Sequence, residues 1–129
     1  MDKAQGMHSF WSGFEWPAIE EQSSYDERTY EDMGSPQQYI TYELVTGNLG
    51  DPLDLTGSLW DHSTSWAAVS QKAEEIAAYI GYGGRIIRID DGYLWIKLVN
   101  PFTKRMEPEE GYDWRRLVLN ISVDFLTAT

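Results

Sequence analysis

Asp61, His62 and Ser63 stand side by side and are the residue types that together activate a serine nucleophile. Adjacency works against them. Neighbours in an extended chain point to opposite faces, so the three do not converge unaided. They read instead as polar residues that close a strand ahead of a helix. His8 and His62 have carboxylates nearby, yet no HxH, HxxxH or ordered acidic spacing that would build a metal site accompanies them. Asp90-Asp91 reads as turn residues rather than a carboxylate dyad, and Glu74-Glu75 as a solvated pair on a helix. The glycines of "GYGG" at 81–84 follow a helical pattern and precede a strand. That is the reverse of the order that seats phosphate on a helix N-terminus, so they read as a helix stop. No enzyme, metal or cofactor is expected.

The elements that would position these residues are legible from periodicity. Met7, Phe10, Trp11 and Phe14 recur at helical spacing, with Gly6 and Gly13 expected to limit that helix to two turns. Pro17 ends it by disfavouring the helical conformation at Trp16. "YITYELV" alternates as a strand, with Ile40, Tyr42 and Leu44 on one face and Thr41 and Glu43 on the other. "LDLTGSLWDHS" is a second strand with Leu53, Leu55 and Leu59 inward. Its inward Gly57 marks a bulge or a close approach by a helix. Ser65, with Ser63 and Thr64 as competitors, is the expected N-cap of a helix whose stripe is Trp66, Val69, Ala73, Ile76, Ala77 and Ile80, with Gly81 beyond its end.

A hairpin follows. With Asp91-Gly92 as its turn, Arg88 opposes Trp95 and Ile87 opposes Ile96. One face then carries Ile87, Ile89, Leu94, Ile96 and Leu98 beneath the helix. The other carries Ile86, Arg88, Tyr93, Trp95 and Lys97, more aromatic and aliphatic surface than a solvated face usually holds. An Arg88–Trp95 cation–π pair would account for part of it. "WRRLVLNISVDFL" closes the pattern as a strand with Leu117, Leu119, Ile121, Val123 and Phe125 inward. Residues 20–36, with six acids and one base, and 100–113, broken by Pro101, Pro108 and Gly111, are expected as long loops. The expectation is a single α+β domain over residues 1–129. Its largely antiparallel five-stranded sheet carries two helices on one face, in the order helix, two strands, helix, three strands.

Composition bounds the function. The chain has 129 residues, 42% hydrophobic and 14% aromatic, enough for one core. It has no cysteine, which removes disulfides and thiolate chemistry. No apolar run approaches a membrane span and no secretory leader pattern opens the chain, so a soluble protein made in the cytoplasm is expected. Net charge is −11, concentrated in residues 1–64, where twelve acids face Lys3 and Arg28 alone. Such a chain is repelled by nucleic-acid phosphates, and its basic pairs Lys104-Arg105 and Arg115-Arg116 each sit beside acids, which argues against direct DNA binding. Of the six tryptophans, Trp11 and Trp66 fit core stripes. Trp16, Trp60, Trp95 and Trp114 remain as candidates for a protein interface.

The stretches "YITYELVTGNLGDPLDLTGSLWDHSTSW", "KAEEIAAYIG", "GGRIIRIDDGYLWIK", "PFTKRM" and "RRLVLNISVDFL" together resemble the tail terminator (tail completion) proteins of lambda-like, long-tailed phages and prophages. The resemblance covers roughly residues 8–127, and head–tail joining proteins of the same gene module are of similar size. It implies a structural virion protein at the head-proximal end of the tail, made in the host bacterial cytoplasm. Such a protein forms a homo-oligomeric ring, typically a hexamer, that stops growth of the tail-tube protein and docks on the head–tail connector. DNA passes through its lumen without being read.

A ring needs two different patches on each subunit. The expected subunit interface is Ile86, Arg88, Tyr93, Trp95 and Lys97, complemented by the acidic first half. The expected docking loops carry Tyr25, Asp26, Tyr30, Lys104, Arg105 and Glu109. No cofactor is expected, although divalent cations would promote assembly by screening the repulsion between acidic copies. The alternative is an acidic interaction or inhibitor module of the DNA-mimic type, which would bind a basic protein and not assemble with itself.

Overall fold

The computed structural model describes residues 2–20, 36–44, 52–107 and 113–127. Its elements are α1 (Lys3–Ser12), β1 (Ala18–Glu20), β2 (Gln38–Tyr42), β3 (Leu53–Asp61), α2 (Ala67–Ile80), β4 (Arg85–Ile89), β5 (Gly92–Met106) and β6 (Arg115–Thr127). The strands form one six-stranded sheet in the order β1-β2-β3-β6-β5-β4. All neighbours are antiparallel except β1 and β2.

Both helices lie on one face of the sheet. The apolar stripe of α1 buries Met7, Phe10 and Trp11, and the side chain of Phe14 follows just past the helix. Asp2 starts α1 through a capping box. Its carboxylate accepts from Gln5 N at 2.8 Å, and the Gln5 side chain accepts from Asp2 N at 2.9 Å. Across the sheet the core is completed by Ile40, Leu55, Leu59, Leu94, Ile96, Leu117, Leu119, Ile121, Val123 and Phe125.

Two glycines set how closely α1 approaches. A Cβ on Gly57 would lie 2.4 Å from the Trp11 indole, so Gly57 is the seat of that ring, the second of the two readings its position allowed. A Cβ on Gly6 would lie 2.8 Å from both Ile89 and Leu94. Gly6 therefore does not shorten the helix. It brings α1 down onto the hairpin, and α1 runs ten residues rather than two turns.

Five further expectations change. The sheet has a sixth strand, β1, too short to show any alternation; its partner's Ile40 N also donates to the Pro17 carbonyl at 2.7 Å. The two-residue turn is Asp90-Asp91 rather than Asp91-Gly92, so Arg88 pairs with Tyr93 and Ile87 with Leu94. This slip of two residues leaves every side chain on its expected face, because strand side chains alternate with period two.

Third, the expected loop at 100–113 is strand through Met106. Pro101, preceded by a cis peptide bond, sits where the ladder is interrupted between Leu98 and Thr103. Asn120 faces this interruption and donates to the Pro101 carbonyl at 3.1 Å. Fourth, α2 begins at Ala67 with Trp66 at the cap position, and the Ser65 hydroxyl accepts from Ala67 N at 3.1 Å. Last, Trp95 carries Lys97 rather than Arg88 over its ring, at 4.2 Å. The expected loop 20–36 lies largely outside the described residues.

Candidate functional site

The face of the sheet opposite the helices holds the expected interface residues together. On β4 and β5, Ile86, Arg88, Tyr93, Trp95 and Lys97 share this face by register, and β6 adds Asp124 and Leu126. Ile86 is 59% exposed, Arg88 is exposed, and Tyr93, Trp95 and Lys97 are half-buried. The Trp95 ring is fixed on both sides. Its Nε1 donates to the Gly83 carbonyl at 3.0 Å, and Lys97 Nζ lies over the ring while donating to Asp124 Oδ2 at 2.8 Å. A Cβ on Gly84, whose φ is +87°, would come within 2.6 Å of Trp95 Nε1. The helix stop "GYGG" thus also admits the indole. The outcome is a rigid, partly apolar surface with a cation at its outer strand.

The other end of the open face is aromatic. Tyr39 and Trp60 stack at 5.8 Å, and Trp114 meets both edge-on. His62 stacks on Trp114 at 4.2 Å. Trp60 Nε1 donates to Thr41 Oγ1 at 2.9 Å, and the Arg116 guanidinium lies 4.8 Å over the Trp60 ring.

Register also unites two basic pairs that are eleven positions apart in sequence. Arg105 opposes Leu117 and Met106 opposes Arg116, which places Lys104, Arg105, Arg115 and Arg116 at one end of β5 and β6. Arg105 and Arg115 both lie against the Trp66 ring, at 4.8 and 5.6 Å. Arg115 donates to the carbonyls of Trp114 and Thr64, and Arg116 to Ser58 Oγ. Among the described residues none of the four forms an ion pair; the pairs there are Lys72–Glu75 and Lys97–Asp124. Lys104 and Arg105 therefore lie on a strand and not in a docking loop, because β5 continues past Pro101. Tyr25, Asp26, Tyr30 and Glu109 lie outside the described residues. The meeting of the basic pairs was open to sequence reasoning only once β5 was known to extend through "TKRM".

The chemically suggestive residues are dispersed. Asp61 is buried and accepts from Gln37 Nε2 at 3.2 Å, Ser63 Oγ accepts from Ser65 N, and His62 faces Trp114. No group of three or more His, Asp or Glu that could hold a metal occurs among the described residues. His8 Nδ1 shares a 2.8 Å hydrogen bond with the Tyr42 hydroxyl. Burial, and then the nearby Glu20 carboxylate, hold Tyr42 above the ordinary tyrosine value. Two shallow grooves flank α2. One, of 410 Å³, is lined by Trp16, Gln38, Ala68, Gln71, Lys72 and Glu75. The other, of 310 Å³, lies between α2 and the far half of β5, with Phe102, Leu117, Ala73 and Ala77 inside and Glu74 and Arg105 at its rim.

No family model matches the chain, and no curated protein matches it. No helix among the described residues is long and apolar enough to cross a membrane.

Proposed function

We propose that this chain is a structural virion protein of the tail terminator kind. It closes into a ring, a hexamer by that resemblance, which caps the head-proximal end of the tail tube and docks on the head–tail connector. The observation that carries the reading is the open face of the β4–β5 hairpin. Ile86, Arg88, Tyr93, Trp95 and Lys97 form one surface with Leu126, held rigid by the Trp95 contacts. A rigid aromatic and aliphatic surface with an arginine at its margin is the composition that subunit contacts favour. The acidic remainder of the chain supplies the complementary sign. An acidic lumen would let DNA slide through without adhering.

The solution mass tests this reading. Light scattering over a concentration series, with and without magnesium, is expected to give a closed oligomer. Trp95→Ala and Arg88→Glu are each expected to abolish it while the monomer stays folded. If both variants still assemble, the patch is misassigned. The −11 charge favours one second reading, an acidic module that binds a basic protein. That reading expects no self-assembly and a partner affinity that falls steeply with salt.

A further inference from the structure

The hairpin ends in two adjacent acids at its tip, Asp90 and Asp91, both exposed. At the opposite end of the sheet, the 310 Å³ groove has an apolar floor and Arg105 at its rim. Arg105 contacts the Trp66 ring and makes no hydrogen bond or ion pair among the described residues. We propose that the Asp90-Asp91 tip of one copy seats in this groove of the next copy. The proposal rests on the ring reading and adds a second point of contact beside the hairpin face.

Three observations support the fit. The charges are complementary in sign: the tip carries the exposed Asp90 and Asp91 with Arg88 just before them, and the groove lining carries Arg105 and Glu74. The tip is a two-residue turn between Ile89 and Gly92, and the groove has a volume of 310 Å³ with Phe102 and Leu117 in its lining. Nor can the tip reach the groove of its own chain. From Gly92, paired with Thr127, to Thr103, paired with Leu119, the strands run roughly 25 Å at the usual rise per residue. Tip and groove therefore meet only between copies, as a head-to-tail contact. Such a contact closes into a ring or extends as a filament according to the rotation it imposes.

A charge swap tests it, read by sedimentation velocity on chains whose folding is checked by circular dichroism. Asp91→Lys and Arg105→Glu are each expected to raise the concentration needed for assembly by about tenfold or more, because like charges then meet in the contact. The double variant, and a mixture of the two single variants, are expected to regain wild-type assembly. An effect of net charge alone predicts the reverse for Asp91→Lys, since that change reduces the overall repulsion.

If both single variants assemble like the wild type while Trp95→Ala does not, the tip–groove contact is wrong and the ring reading stands. If the singles fail and the double variant is not rescued, the two surfaces do not meet and the proposal falls. A wild-type chain that stays monomeric at every concentration overturns both.

Discussion

On the covered face of the sheet, Leu55, Leu59, Leu117, Leu119, Ile121 and Val123 meet α1 and α2, and Trp11 settles over Gly57 with no room for a methyl group between them. On the open face the sheet carries Tyr39, Trp60, Trp95 and Tyr93, interleaved with Arg88, Lys97 and Arg116. Trp60 and Trp95 there are half-buried and held by single polar bonds and by cations, while Tyr39 is buried. The difference separates two kinds of work. Residues beneath the helices specify the fold, and the exposed and half-buried residues of the open face, Ile86, Arg88, Trp95 and Lys97 among them, are available to another surface.

Breaking the covered face should therefore cost stability. The largest effect is expected for Trp11→Ala, about 3–5 kcal/mol for emptying a fully buried aromatic site, measured by urea unfolding. Gly57→Ala comes next, at about 1–3 kcal/mol, because its new Cβ meets the Trp11 ring. Breaking the open face should spare stability and cost assembly. Arg88→Glu is expected to shift the unfolding midpoint little, while light scattering shows the oligomer lost.

A smaller effect depends on pH. The Tyr42 hydroxyl titrates higher in the folded than in the unfolded chain, so its contribution is complete below about pH 10 and is lost as pH rises through the folded value. Stability should fall more steeply above pH 10 in the wild type than in Tyr42→Phe. Least of all, Asp124→Asn should cost under about 1 kcal/mol, since Lys97 is partly exposed and its pair with Asp124 is screened.

The covered face was legible because burial imposes period. The alternations in β2, β3 and β6 and the helical stripes of α1 and α2 follow directly from which residues must face the core. The open hairpin face was legible by subtraction, as the residues left over when Ile87, Ile89, Leu94 and Ile96 turn inward, and it survived a two-residue error in register. Three features were hidden. β1 is too short for alternation to register. The far half of β5 was masked by Pro101, which ordinarily argues against a strand but here sits at a break in the ladder. The basic end depended on that strand, since only its pairing with β6 brings Arg105 to Arg115 and Trp66. The capping box of Asp2 and Gln5 was missed, although an N-cap residue type followed three positions later by Gln is its pattern.

The central claim is that the open hairpin face joins copies of this chain into a ring. Its most direct test is the mass of the wild-type protein by light scattering across a concentration series with magnesium, beside Arg88→Glu under the same conditions. The account predicts a closed oligomer of about six subunits for the wild type and a folded monomer for the variant. A tight dimer indifferent to concentration and magnesium, or a variant that assembles as the wild type does, would contradict it.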